Sequence, residues 1–266
     1  MHPLLFNLGP FPIHTYGFLI AVGFLLAIEV IRRLCIKSKL PAEPILDLVF
    51  WLLISGFVGA RVLFIITRID FFIQHPLDIF KVWEGGLVFF GGLISATGFF
   101  IYYVREKKLP VWDTMDVLTP GLILNHAWGR LGCLAAGCCY GKPTGTSWGI
   151  KLNSELVDPS LRGVLLHPVQ LYESAALFIL FFGLLWIFKH RKFSGQVGLT
   201  YFMTYPVIRS IVELFRGDSI RGFIIDPWLS TSQFISLMVM LGAVGVLVLR
   251  LKQVDAPRSK NKKTSS

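Results

Sequence analysis

The chain has 266 residues, of which 54% are hydrophobic and 16% charged, and its formal net charge is +10. This composition, with a mean hydropathy of +0.64, excludes an ordinary soluble domain. The basic surplus lies in short connections between apolar segments, a pattern typical of membrane proteins rather than of nucleic-acid binders. We therefore predict a protein of the lipid bilayer with no nucleic-acid partner.

Seven apolar windows are long enough to cross a bilayer as helices, which takes roughly 20 residues each. They cover residues 16–31, 45–67, 86–104, 112–129, 168–188, 196–215 and 231–249. The fourth window carries Asp113, Asp116, Asn125 and His126, so we expect its neighbours to shield it from lipid. The windows predict an all-α polytopic membrane protein with seven transmembrane helices.

Basic residues are dense in every second connection and in the carboxyl-terminal tail. They are Arg32, Arg33, Lys37 and Lys39, then Arg105, Lys107 and Lys108, then Lys189, Arg191 and Lys192, and finally Arg250, Lys252, Arg258, Lys260, Lys262 and Lys263. The positive-inside rule then predicts an amino terminus outside and a carboxyl terminus in the cytoplasm.

The longest connection, 130–167, falls on the outer side in this topology and is rich in turn-forming residues. It predicts a small extramembrane cap with a short strand within 148–152. We expect one transmembrane domain over 1–254 and a basic disordered tail over 255–266.

Two places near the spans are suited to close contact with lipid. Tyr16 begins the first span, where it reads as an interfacial aromatic anchor or as a hydroxyl that reaches a headgroup. Gly91 and Gly92 thin the third span, so that either another helix or an acyl chain can lie against it. The sequence leaves both pairs of alternatives open.

The stretch 126–141, H-A-W-G-R-L-G-C-L-A-A-G-C-C-Y-G, combines an arginine with glycines and cysteines between apolar runs. Glycines flank Arg130, so a bulky ligand can approach its guanidinium, whose planar donors suit a phosphate diester. The alternative is an arginine that extends to the membrane interface. His126 precedes Arg130 by four residues and shares its helical face.

Cys133, Cys138 and Cys139 lie in the same stretch, but their spacing, C-x4-C-C, matches no standard zinc module. A cysteine nucleophile with His126 as its base is one alternative, and small apolar wall residues are the favoured one. We predict no metal and no cofactor.

Polar residues also open the fifth span, in the stretch H-P-V-Q-L-Y-E that begins at His167. Gln170, Tyr172 and Glu173 place polar groups at membrane depth, where unsatisfied groups are costly, so we expect them to line a cavity. A well-formed helix amino terminus is the alternative reading.

The sixth span ends in R-S-I-V-E-L-F-R, which puts Arg209, Glu213 and Arg216 along one helical face. Glu213 can neutralise and orient one or both arginines, and two arginines against one carboxylate leave a surplus positive charge that favours an anionic ligand. A structural ion pair between helices is the alternative.

In this order the motifs resemble the prolipoprotein diacylglyceryl transferase family of bacterial inner-membrane enzymes. The resemblance rests on L-G-P-F-P-I-H-T-Y-G, W-E-G-G-L-V-F-F-G-G-L-I and G-R-L-G-C-L-A-A-G-C-C-Y-G, followed by H-P-V-Q-L-Y-E and R-S-I-V-E-L-F-R. It implies transfer of the diacylglyceryl group of phosphatidylglycerol to the lipobox cysteine thiol of a preprolipoprotein. The products would be a thioether and glycerol 1-phosphate.

The resemblance also implies site residues. The family's conserved positions fall on Arg130, Arg209, Glu213, Arg216, Tyr16 and Gly141. This chain departs from the best-known members at Cys133 and Cys138, in place of asparagine and glutamate, and at Phe90, in place of a histidine considered as the base. His126 and His167 are the substitute bases that the sequence offers, and loss of the thiol proton to water is the alternative.

The resulting hypothesis is a lipid transferase in which Arg130 and Arg209 hold the headgroup and Glu213 orients Arg209. Further predicted substrate-binding residues are Tyr16, Gly91, Gly92, Gly132, Gly141, Gln170, Tyr172, Glu173 and Arg216. An anion or lipid transporter and a non-catalytic phosphatidylglycerol-binding paralogue are the alternative functions.

Overall fold

A computed structural model describes residues 4–8, 11–82, 85–217, 223–225 and 229–262. Four motif residues, Gly9, Pro10, Trp83 and Glu84, lie outside the described residues, as do 263–266 of the tail. Within the described ranges the α-helices are α1 (Thr15–Ser38), α2 (Ala42–Thr67), α3 (Ile69–Gln74), α4 (Phe89–Glu106), α5 (Val111–Ala136), α6 (Val169–His190), α7 (Gln196–Leu214) and α8 (Thr231–Lys262). The all-α prediction is confirmed.

Short antiparallel hairpins account for the described strands. They pair β1 (Leu4–Leu8) with β2 (Phe11–His14), β3 (Ile150–Lys151) with β4 (Leu165–Leu166), and β5 (Phe223–Ile225) with β6 (Leu229–Ser230). A register shift interrupts the first pair between Leu4 and Phe6. The second pair lies in the predicted cap, and β3 falls within the predicted strand segment.

Each predicted window coincides with one long helix, but α5 is longer than its window. It continues to Ala136, so Arg130 and Cys133 lie in the helix and not in the connection that follows. Leucines and alanines after Arg130 are strong helix formers, and Gly137 ends the helix with a φ of 74°. α8 also continues, through Lys262, into the segment predicted as a disordered tail.

Among the described residues, three helical segments are long and apolar enough to cross a membrane, namely Ala42–Thr67, Val169–His190 and Thr231–Lys252. Large apolar side chains are exposed along them, among them Leu53, Ile179, Phe182 and Leu241. Such extensive exposed apolar surface is suited to lipid rather than water. The chain is therefore a multi-pass membrane protein.

The described chain divides into two compact units, 31–118 and 1–30 with 119–266. In unit 31–118, α2 packs closely on α4 at glycines. A Cβ on Gly91 would collide with the carbonyl oxygen of Gly59, and one on Gly92 would lie 2.9 Å from that of Gly56. The glycines thus act in close helix packing, while Gly92 also borders an apolar groove of about 410 Å³.

In the other unit, α6 packs on α7 and α7 on α8. The Ser174 hydroxyl donates to the carbonyl of Ala127 at 3.0 Å, which fixes α6 against α5. The cap has its own small core of Tyr140, Leu152, Val157 and Leu166. These contacts position the ends of α5, α6 and α7, where the candidate site lies.

Candidate active site

Arg130 forms an ion pair with Glu173. Nη2 of Arg130, on α5, lies 3.1 Å from Oε1 of Glu173, on α6. Only 14% of the arginine side chain and 1% of the glutamate side chain are exposed. The sequence predicted Glu173 as a cavity residue or as part of a helix start, and the structure gives it a buried arginine as a partner.

His126 lies one helical turn before Arg130 and faces the same carboxylate. Its Nε2 is 3.7 Å from Oε1 of Glu173, and its ring contacts the ring of Tyr205 with centroids 5.3 Å apart. The carboxylate favours the protonated imidazole, whereas the Arg130 guanidinium, paired with the same carboxylate, opposes it.

On α7, Arg209 pairs with Glu213 at 2.6 Å, as the spacing of four residues predicts. Tyr205 lies one turn earlier on the same face. The charges of Arg130 and Arg209 both act on Tyr205, so the groups of α5, α6 and α7 form one cluster. Tyr205 is not among the residues predicted from the sequence, although its spacing of four residues from Arg209 is a usable signal.

Both arginines retain buried N–H groups. The Nε of Arg130 and the Nη1 of Arg209 have no hydrogen-bond partner among the residues that the structure describes. Buried polar atoms nearly always have such a partner. An oxyanion such as a phosphodiester would supply the missing acceptors, because guanidinium groups bind it through several parallel hydrogen bonds.

The placement of Arg216 corrects one prediction. α7 ends at Leu214, so Arg216 does not share a helical face with Arg209 and Glu213 as predicted. It is buried beyond the helix end, where its backbone forms a bridge with Gly141. The physical reason is the end of the α-helical hydrogen bonding: the N–H groups of Phe215 and Arg216 donate to carbonyls three residues back rather than four.

Gly141 is required by close backbone packing. Its N–H donates to the carbonyl of His167 at 3.1 Å, and an added Cβ would lie 2.6 Å from that oxygen. Gly217 approaches from the other side, since a Cβ there would lie 2.6 Å from the carbonyl oxygen of Gly141. Glycine at 141 therefore joins three chain segments, and its predicted contact with substrate stays a prediction.

His167 belongs to a second group, with Tyr172 and Trp148. Its Nδ1 lies 3.2 Å from the Tyr172 hydroxyl, which also accepts a hydrogen bond from Nε1 of Trp148 at 2.9 Å. The structure thus gives His167 a hydroxyl neighbour, where His126 has a carboxylate. Gln170 donates from Nε2 to the carbonyl of Cys138 at 2.7 Å, a contact that holds the turn after α5.

Tyr16 lies against the end of α5. A Cβ on Gly132 would be 3.0 Å from Cδ2 of the Tyr16 ring and 3.3 Å from its carbonyl oxygen, so Gly132 permits this close approach. Tyr16 is 43% exposed, which leaves its ring accessible to a headgroup or to the interface.

Comparison with known proteins now adds the family. The model of the prolipoprotein diacylglyceryl transferases matches residues 3–249. The chain belongs to this family. Its similarity to the phosphatidylglycerol–prolipoprotein diacylglyceryl transferase of Clostridium tetani is 36% identity over 94% of this chain and 98% of the relative.

Two further relatives have names of the same kind. The Clostridium perfringens transferase 2 is 32% identical over 94% of this chain and 95% of its own length. The Oceanobacillus iheyensis transferase is 31% identical over 94% of this chain and 90% of its own length. The resemblance to this family is confirmed, and so is the predicted function as a transferase of lipoprotein biosynthesis. In this family member, Arg130 of α5 and Arg209 of α7, each paired with a glutamate, are the strongest candidates for binding the substrate headgroup.

Proposed function

We propose that this protein transfers the diacylglyceryl group of phosphatidylglycerol to the lipobox cysteine thiol of preprolipoproteins. The proposal rests on one observation above all. Two buried arginines, Arg130 and Arg209, each have a carboxylate partner and each retain an N–H group with no acceptor among the described residues. The names of the relatives, which give phosphatidylglycerol and a prolipoprotein, support this choice of lipid and acceptor.

The charges of the cluster favour an anionic headgroup. Arg130, Arg209 and Arg216 outnumber Glu173 and Glu213 by one positive charge, and all five side chains are largely buried or partly buried. A phosphodiester would neutralise this charge and accept from the free N–H groups. In this proposal Glu213 orients Arg209, and Glu173 orients Arg130.

The reaction is a displacement at carbon. The substrate sulfur attacks the carbon of the diacylglycerol moiety that bears the phosphate oxygen, the C–S bond forms, and the C–O bond breaks. The electron pair of that bond stays on the departing glycerol 1-phosphate, whose charge the arginines stabilise. The substrate thiol gives its proton to a base as the sulfur attacks.

His126 is the favoured base. Its Nε2 is 3.7 Å from the Glu173 carboxylate, which would orient the imidazole as it accepts the proton. His167, beside the Tyr172 hydroxyl, is the second candidate. Phe90, in place of the family histidine, leaves this role to a histidine of the other unit or to water.

Apolar surface next to the arginine helix offers room for acyl chains. A groove of about 380 Å³ runs between α7 and α8 and is lined mostly by apolar side chains such as Val207, Ile211 and Leu237. Gly91 and Gly92 remain candidates for acyl contact in the other unit.

We further propose seven transmembrane spans in the bacterial inner membrane, with the amino terminus outside and the carboxyl terminus in the cytoplasm. The distribution of basic connections supports this orientation. It would present the cap to the outer side, where a translocated lipobox peptide is accessible. Topology reporters fused within the cap and after α8 should be located on opposite sides of the membrane. Location of both reporters on the same side would contradict this topology.

The transfer itself is tested with purified protein, phosphatidylglycerol and a lipobox peptide. We expect a thioether-linked diacylglyceryl peptide and free glycerol phosphate. Arg130→Ala should abolish both products, whereas Arg162→Ala, which removes an exposed arginine of the cap, should retain them. Absence of product under conditions where a relative is active would contradict the proposal.

The base is assigned by separate variants. His126→Ala should lower the turnover strongly and His167→Ala less, because only His126 faces a carboxylate within the described residues. Near-normal turnover in both variants would eliminate both histidines and leave water as the proton acceptor.

A further inference from the structure

Three cysteines converge at the end of α5. Cys133 lies in the last turn of the helix, and Cys138 and Cys139 follow it in the next turn of chain. Their sulfur atoms all lie within 4.8 Å of one another, and all three side chains are partly buried. The sequence spacing alone did not predict this cluster, because it matches no standard module.

The convergence depends on a tightly folded backbone. Gly137 reverses the chain with a φ of 74°, and the N–H of Cys138 donates back to the carbonyl of Cys133 at 3.1 Å. Cys139 has a φ of 60°, a left-handed conformation that is uncommon for residues other than glycine. Gln170 holds the carbonyl of Cys138 from α6. Backbone strain of this kind is often found at functional sites.

The sulfur separations fit a metal ion. A zinc–sulfur bond of about 2.3 Å places two thiolates on one ion about 3.8–4.0 Å apart. The observed limit of 4.8 Å therefore lies within about 1 Å of the spacing that a shared ion requires. A disulfide would use two of the three sulfurs and would leave the convergence of the third unexplained.

The buried Arg216 places a positive charge close to Cys139. Three thiolates on a divalent ion carry a net charge of about −1, which the nearby buried Arg216 would stabilise.

We propose that Cys133, Cys138 and Cys139 form a three-thiolate site for a thiophilic divalent ion of the zinc type. Among the described residues these cysteines have no further histidine, cysteine or carboxylate in the group, so the fourth coordination position is open to a small external ligand. The ion would tie the end of α5 to the turn that leads to Gly141. The proposal rests on the geometry of the three cysteines and not on the proposed transfer reaction.

Cadmium binding tests the proposal directly, because thiolate-to-cadmium charge transfer absorbs in the ultraviolet. The reduced full-length protein in detergent should bind one equivalent of Cd²⁺ with this absorption, and Zn²⁺ should compete. Cys133→Ser, Cys138→Ser and Cys139→Ser should each lose it, whereas Cys35→Ser, which alters the remaining cysteine, should retain it. No absorption in the reduced wild type, or equal absorption in all variants, would overturn the site.

A second measurement needs no substitution. Zn²⁺ should protect the three thiols of the wild type from alkylation, measured by peptide mass spectrometry. It should also raise the thermal unfolding midpoint. Unchanged alkylation at all three positions would overturn the proposal. A disulfide that persists after mild reduction would also overturn it, in favour of an oxidised pair.

Discussion

Two buried arginine environments in this protein differ in how the guanidinium is satisfied. Arg61, on α2, is 8% exposed and donates to five backbone carbonyls, those of Asp78, Ile79, Lys81, Gly85 and Gly86. Arg209, on α7, is 6% exposed, has a carboxylate partner and retains an Nη1 without an acceptor among the described residues. Burial is nearly equal in the two cases.

The difference separates a structural arginine from a ligand-binding one. The donors of Arg61 are consumed by the connection between α3 and α4, and its guanidinium also stacks near the rings of Phe64 and Phe72. The N–H donors of Arg61 are already used by carbonyls, so none remains for an anion. Arg130 and Arg209 retain unsatisfied donors, which is costly unless a ligand uses them. Substitutions at the two kinds of site should therefore have different consequences.

The largest effect is expected at Arg209. Arg209→Lys keeps the charge but removes the planar donors, so turnover in the transfer assay should fall by about 100-fold to 1,000-fold. Arg61→Lys should leave the turnover of the folded protein within a fewfold of wild type. Equal losses of turnover in the two variants would break the distinction.

Arg61→Lys should instead lower stability. A lysine offers three N–H donors where the guanidinium of Arg61 makes five hydrogen bonds, and each buried carbonyl left without a donor costs about 1–3 kcal/mol. The thermal unfolding midpoint in detergent should fall clearly. An unchanged midpoint would mean that water replaces the lost donors and that Arg61 is not structural.

The sequence predicted the long helices and the Arg209–Glu213 contact because both depend on local periodicity. Hydropathy over a window decides where a helix crosses the bilayer, and residues four apart on a helix are neighbours whatever surrounds it. The end of α7 could not be predicted in the same way. Its position at Leu214 decides where Arg216 lies. The leucines and alanines after Arg130 extend α5 to Ala136 because they favour helix locally. The predicted window, which ends at Gly129, was too short there.

Contacts between distant segments could not be predicted from one sequence. The pairing of Arg130 with Glu173 depends on the packing of α6 against α5, where Ser174 bonds to Ala127. Arg61 shows the converse problem. A charge inside an apolar window suggests a functional site by base rate, and only its five carbonyl partners identify a structural role.

A smaller effect is expected from Glu213→Gln. The substitution keeps the shape of the side chain but removes the charge that orients Arg209 across 2.6 Å. Loss of about 1.5–3 kcal/mol from this ion pair corresponds to a decrease in turnover of about 10-fold to 100-fold. Glu155→Gln, at an exposed position of the cap, is the control and should leave turnover unchanged. Wild-type turnover in Glu213→Gln would show that Arg209 is positioned without its carboxylate.

The smallest effect is expected at Gly86, which tests the Arg61 environment from the backbone side. Gly86 has a φ of 77°, and an added Cβ would collide with Cε1 of Phe64 and lie 2.8 Å from Nη1 of Arg61. Gly86→Ala should therefore lower the free energy of unfolding by about 1–2 kcal/mol, measured as a shift of the thermal midpoint. Gly98→Ala is the matched control, because a Cβ there meets nothing within 4 Å and alanine favours its helix. If both variants shift the midpoint equally, the carbonyls around Arg61 do not form the tight enclosure that distinguishes it from Arg209.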